Sequence, residues 1–219
     1  MIKRVALLFL LAGTILATAC SAREDASAKA PFSEGQEYVT IPHPERLSPS
    51  GKVEVVEVFS YGCIHCAHFA PYAEKLRKSL PKGVQFKLLP ANFSPAWEPY
   101  ARAYYAAQEL GVLKRTHLKL FQEKFDQHFP INTLDELGDF YAREGVDKQT
   151  FMRDANSQET NLALARGNQL VTDWGVDGTP TIVVDGKYRS NRVKNYDQLL
   201  KLTHWLVQRE LDTISGKDK

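Results

Sequence analysis

Two cysteines three positions apart, Cys63 and Cys66, sit where the sequence turns from strand chemistry to helix chemistry. Val53 to Ser60 is β-branched and nearly continuous in apolar character, which suits a central strand buried on both faces. From about Ile64 the pattern is helical. A fold built around this stretch must end a buried strand and start a helix within a few residues. Cysteines placed this way at a helix start bring both sulfurs to one exposed end, close enough to form a disulfide. The first also faces the free N–H groups of the helix terminus, whose partial positive charge favours a thiolate at Cys63. His65, between the cysteines, adds a cationic or hydrogen-bonding partner. The expected character of the pair is redox-active.

Two other readings stay open on the motif alone. Cys-x-x-Cys is half of many zinc sites, and Cys63, His65, Cys66 and His68 are neighbours in sequence. Structural zinc takes a tetrahedron of ligands, usually from two separated pairs. The chain has no second such pair, and these residues within one turn and a half cannot surround an ion. An inert structural disulfide is the remaining alternative. No metal and no cofactor are expected.

The first residues point to export. Lys3 and Arg4 precede an apolar run from Val5 to Leu16, and Ala17-Thr18-Ala19 then meets Cys20. A charged start, a short apolar stretch and small residues make residues 1–19 a signal peptide. As a helix the run would rise about 18 Å, at about 1.5 Å per residue, too short for a hydrocarbon core of roughly 30 Å. Cys20 directly after the small residues resembles a bacterial lipobox, in which that cysteine is lipidated. Ala17 stands where leucine is usual, and Ala17-x-Ala19 equally suits ordinary cleavage. Residues 20–36 are polar, rich in Ala and Ser, and read as a tether. Export is expected, with a lipid anchor through Cys20 if the lipobox reading holds and a soluble product if ordinary cleavage does.

Charge and cysteine use narrow the partners. The chain carries 28 Lys and Arg against 26 Asp and Glu, and loss of Lys3 and Arg4 with the leader makes the two equal. No dense basic patch stands out, so nucleic acid and anionic membrane surfaces are not expected partners. Of 3 cysteines, only Cys63 and Cys66 lie in the part expected to fold. Disulfides are therefore not its scaffold.

Further along, Tyr38 to Ile41 reads as a short strand, and Val84 to Leu89 as a strand after the helix from Ile64 to Leu80. Helical stretches follow over Pro95 to Leu110, Lys114 to Phe129, Leu134 to Glu144 and Lys148 to Trp174, with Thr133 and Asp147 as N-caps. Strand chemistry returns at Thr181 to Val184, and Asp185-Gly186 signals a hairpin into Tyr188 and Arg189. Asn195 to Glu210 closes as an amphipathic helix. The aromatics Trp97, Tyr100, Tyr104, Tyr105, Phe121 and Phe125 fall at helical spacing and are expected mostly in the core.

Strand, helix, strand, then hairpin and helix is the order of a thioredoxin fold with helices inserted in its middle. The run Phe59-Ser60-Tyr61-Gly62-Cys63-Ile64-His65-Cys66, Gly178-Thr179-Pro180-Thr181 and the inserted helices together resemble the DsbA family of thiol–disulfide oxidoreductases. The resemblance runs from about Tyr38 to the C-terminus. It implies an α/β thioredoxin fold with an inserted all-helical domain. The expected division is 37–92 and 175–219 for the thioredoxin parts and 93–174 for the insertion. It also implies a periplasmic oxidant, monomeric, that passes its disulfide to newly exported cysteine-containing proteins. A quinone-linked membrane reoxidase of the DsbB type would restore it.

Residue by residue, the resemblance makes Pro180 the family's cis-proline, which lies against the Cys-x-x-Cys and offers backbone to a substrate strand. X-Pro is the peptide bond for which cis costs only about 0.5–1 kcal/mol. Thr179 before it touches substrate. Glu57, six residues before Cys63, matches a buried acid that would carry a raised pKa and relay a proton to or from Cys66. Lys87 on the next strand is the candidate partner for Glu57. Ile64 departs from the family's best-known member, which has proline there. Residues between the cysteines touch substrate and tune the potential, so the strength of the oxidant is the property this departure touches. His68 reads as a solvated helix residue. A reductase or isomerase of the same fold and a non-catalytic copper carrier are the competing functions.

Overall fold

The computed structural model describes residues 30–48 and 52–216; the expected signal peptide, its cleavage site and Cys20 lie outside them. Five strands form the sheet: β1 (Tyr38–Thr40), β2 (Glu54–Phe59), β3 (Gln85–Pro90), β4 (Thr181–Val184) and β5 (Tyr188–Ser190). Their order is β1-β5-β4-β2-β3. β2 and β3 run parallel, and the other neighbours antiparallel. Every residue of β2 is buried, as its near-continuous apolar pattern requires. At the β4–β5 hairpin both Asp185 and Gly186 take positive φ, 55° and 65°, and the Lys187 N–H closes the turn on the Val184 carbonyl at 3.0 Å.

Among the described residues, seven α-helices cover the sheet and fill the gap between β3 and β4. They are α1 (Ile64–Ser79), α2 (Glu98–Glu109), α3 (Leu113–Phe121), α4 (Leu134–Arg143), α5 (Lys148–Ala155), α6 (Gln158–Asp173) and α7 (Tyr196–Ser215). Alternation along β2 assigns its faces. Val55 packs with Phe69, Ala73 and Leu76 of α1 and with Leu202 and Leu206 of α7. Val56 and Val58 face the other way, against Leu170 and Val171 of α6 and Trp174. Phe59, at the end of the strand, joins Cys63, Cys66 and the aromatics of the inserted helices in a third cluster. This is a thioredoxin fold with a helical insertion, and the insertion shares its core with the cysteine turn.

The structure departs from the sequence reading in four places. The expected tether ends earlier, because Phe32 is buried and stands 5.8 Å from the Trp205 ring, so the packed chain begins ahead of position 37. The stretch expected as one helix from Lys148 to Trp174 is two, since Ser157 accepts from the Thr160 N–H and starts α6 afresh. A Ser hydroxyl offers the backbone this local alternative to a continuing helix. Ser157→Ala should therefore cost about 1 kcal/mol, and Ser157→Gly only a few tenths, as read from the midpoint of denaturant unfolding. The Lys114–Phe129 stretch ends early in a π-helical segment, Gln122–Asp126, and His128 turns the chain with φ 57°. Lys87 does not reach Glu57 as a partner. It pairs with Glu54 at 3.3 Å, because residue 87 lies opposite Val56, whose side chain leaves the far face of β2.

Candidate active site

β2 delivers the chain to the cysteine turn and α1 starts from it. Cys63 is the N-cap of α1, with extended backbone (φ −102°, ψ 115°), and its carbonyl accepts from the Cys66 and Ala67 N–H groups at 3.1 and 3.2 Å. Ser60 braces the approach: its carbonyl accepts from Cys63 N–H and its Oγ from Gly62 N–H, both at 3.1 Å. The two cysteines are free thiols here. Cys66, one turn in, has no solvent exposure, whereas 8% of Cys63 remains accessible.

That difference in place separates their acidities. The Cys63 pKa falls from 9 to about 5. The thiol of Cys66 is the main cause, burial opposes it, and the Thr179 side chain and the backbone N–H groups of Cys66 and His65 add to the lowering. Those N–H groups make no strict cap bond to the sulfur and act as the positive end of the helix. Cys66 moves the opposite way, pushed far up by burial first and then by the Cys63 thiolate it faces. One sulfur is thus a ready nucleophile and leaving group, and the other holds its proton.

The other residues singled out from sequence fall around this pair. The Thr179–Pro180 bond is cis, and the Cys63 thiol donates to the Thr179 carbonyl at 3.4 Å. Thr179 Oγ1 is buried with no partner beyond the sulfurs. Ile64 is 39% exposed on the rim. The imidazole of His65 is exposed, and this residue's effect on Cys63 runs through its backbone N–H. His68 is exposed as well. Glu57 shares its face of β2 with Val55 and Phe59, beneath α1. Burial and then the Cys63 charge raise its pKa to about 8, and its Oε2 has no hydrogen-bond partner. Glu57 also borders a cavity of about 510 Å³ that includes His117, Glu74 and Lys87.

Three contributors were not legible in sequence. Tyr61, two residues before Cys63, shares a hydrogen bond between its hydroxyl and His117 Nδ1 at 2.8 Å and ties the cysteine turn to α3. Burial lowers the His117 pKa to about 4, so its ring is neutral at pH 7. Tyr196, at the start of α7, donates to the His65 carbonyl at 3.0 Å. Spacing could have flagged Tyr61, but nothing in the sequence places His117 or Tyr196 beside the cysteines.

Comparison with known proteins agrees with this geometry. Residues 54–203 match the family model described as a DSBA-like thioredoxin domain. The chain is 34% identical over 181 residues to the thiol:disulfide interchange protein DsbA of Pseudomonas aeruginosa, covering 82% of this chain and 86% of that protein. It is 36% identical over 166 residues to the Burkholderia cepacia protein of the same name, covering 75% of this chain and 78% of the relative. The crystal structure of the oxidoreductase DsbA from Xylella fastidiosa superposes with a TM-score of 0.78 at 38% identity, over 82% of this chain and 97% of that one. With its sulfurs made unequal at the start of a helix inside this fold, the chain belongs to the DsbA-like thioredoxin family and is a thiol:disulfide oxidoreductase.

Proposed function

We propose that the oxidised protein donates the Cys63–Cys66 disulfide to newly exported proteins that carry free cysteines. A substrate thiolate attacks Cys63 Sγ, the bond to Cys66 breaks, and its electron pair leaves on the Cys66 sulfur. That sulfur, whose pKa is strongly raised, takes a proton; Glu57, neutral at pH 7 with a pKa of about 8, supplies it. The carboxyl would recover its proton from solvent by way of the cavity it borders. A second substrate thiolate then attacks the substrate sulfur of the mixed disulfide, and Cys63 leaves as a thiolate. The substrate gains one disulfide, and the enzyme holds two electrons more. The observation that carries this reading is the split between a depressed, accessible Cys63 and a raised, buried Cys66.

Several parts of the reading lie with partners. A quinone-linked membrane enzyme of the DsbB type would take the two electrons from the reduced dithiol. Pro180 and Thr179 would border the bound substrate strand, with Ile64 and His65 at the rim. The protein would work as a monomer in the periplasm, held to a membrane through lipidated Cys20. No helix among the described residues is long and apolar enough to cross a membrane. Mixing the oxidised protein with a reduced, unfolded test protein should yield one substrate disulfide per pair of enzyme thiols appearing. A potential near those of reducing thioredoxins, with no net oxidation of the test protein, would favour the reductase reading. Metal retained through purification on Cys63 and Cys66 would favour the carrier.

A further inference from the structure

A hollow of about 260 Å³ opens beside Gly62, the residue before Cys63, between Trp97, Pro99, Tyr100 and Lys124. Gly62 suits this place through space and not through backbone conformation, since its φ is not positive. A Cβ on it would lie 3.0 Å from Tyr100 Cε2 and 3.2 Å from Trp97 Nε1, and would close the gap. The hollow's lining includes a cation. Lys124 Nζ donates to the Ile131 carbonyl at 3.0 Å and to Asn132 Oδ1 at 2.8 Å, and stands 5.0 Å from the centre of the Tyr100 ring. Those two bonds leave its third proton unused. Among the described residues no carboxylate comes within ion-pair distance of it. Glu136, the acid that acts on it from further away, spends Oε2 on the Asn132 and Thr133 N–H groups, both at 2.8 Å. Partial burial lowers the Lys124 pKa, as expected of a cation left without a counter-charge.

Two further observations single out this hollow. The Trp97 indole N–H faces the Gly62 gap and finds no acceptor among the described residues. Lys124 sits inside the π-helical segment Gln122–Asp126, a local widening of the helix that recurs at functional sites. An aromatic wall, an indole donor and an unpaired ammonium therefore surround one empty space on the helical flank of Cys63. The Thr179–Pro180 flank is a different one, built from the other end of the chain. When a substrate cysteine is joined to Cys63, its chain neighbours lie only about 3.8 Å apart per residue along the backbone. A side chain one or two residues away can reach over Gly62.

We propose that Lys124 and Trp97 form a carboxylate subsite that selects substrates with Asp or Glu one or two residues from the reacting cysteine. The proposal rests on the disulfide-donor reading, and its test separates the two. Peptides identical except for Glu, Gln or Lys beside a single cysteine are reacted with the oxidised full-length protein, and mixed-disulfide formation is timed. The Glu peptide should react roughly 5–20-fold faster than the Gln peptide, as a charge-assisted bond at a partly solvated site allows, and the ratio should shrink in high salt. Within each variant the Glu-to-Gln ratio is the readout, so any general loss of folding or activity cancels. Lys124→Met should bring it to about one, Trp97→Phe should lower it in part, and Lys124→Arg should retain it. The same peptides with serine for cysteine, titrated into the reduced protein and followed by amide chemical shifts, read the subsite without any redox step. Shifts at Gly62 and in residues 122–126 with the Glu peptide alone support the subsite even if no disulfide is exchanged. Equal ratios in wild type and Lys124→Met, a fastest Lys peptide, or shifts that ignore the carboxylate would each overturn it.

Discussion

Cys66→Ser should accumulate covalent adducts with substrate proteins, while Cys63→Ser should form none and show no activity. Cys63 is the sulfur that is accessible and depressed to about 5, so it carries the mixed disulfide. Cys66 has no exposure, and on the proposed mechanism its thiol can attack Cys63 from one turn inside α1 and release an adduct that no second substrate thiol has resolved. Removing the resolving sulfur leaves the adduct with no internal escape; removing the attacking sulfur leaves no adduct to resolve. The contrast is all or none, and non-reducing electrophoresis of extracts from cells producing the two variants reads it directly. Adducts on the Cys63→Ser protein, with none on the other, would reverse the assignment of roles.

At pH 7 the reduced protein should melt above the oxidised one, with the difference disappearing as pH falls toward 4. A thiol whose folded pKa is about 5, against roughly 8.5 unfolded, gains stability that is complete above the unfolded value and is lost as pH drops through the folded one. Two pH units separate 5 from 7. At about 1.36 kcal/mol per unit the thiolate would contribute about 3 kcal/mol, and solvent screening at this partly accessible sulfur reduces that to about 1–3 kcal/mol. For a domain of this size the shift is roughly 3–10 °C. Glu57, raised to about 8, acts with the opposite sign, since the unfolded chain ionises it first as pH climbs. Its burial is common to both redox forms and largely cancels in their difference. The DsbA class is the standard example of a disulfide made oxidising because the reduced form is favoured. An oxidised form that melts higher at pH 7 would mean that the bond serves here to stabilise the fold.

The local features of this protein were legible in its sequence. Strand identity followed from β-branched runs, the hairpin from Asp185-Gly186, and the cysteine turn from the abrupt change of period at residues 60–64. Caps at Thr133 and Asp147 hold where expected, because a cap is decided within four residues. Ser157 was missed for the converse reason: an apolar period that runs through a hydroxyl residue does not show whether that residue continues the helix or starts another. The resemblance to a known family supplied Pro180, Thr179 and Glu57, which lie far from one another or lack a local pattern.

Register and packing lay beyond any local pattern. Whether Lys87 meets Glu57 or Glu54 depends on a one-residue choice in how β2 and β3 align, and that choice sends a side chain to opposite faces of the sheet. It leaves Glu57 buried and, among the described residues, without an ion-pair partner, and so sets its acidity. In the same way, His65 meets Cys63 through its backbone because the helix start directs N–H groups, and not the ring, at the sulfur. Tyr61–His117, Tyr196–His65 and the Lys124 hollow join residues 56, 131 and 62 positions apart in the chain. Sequence determined where the reactive sulfurs stand on the chain; only tertiary packing, by sealing one, leaving the other a small opening and choosing what surrounds them, decided how they differ.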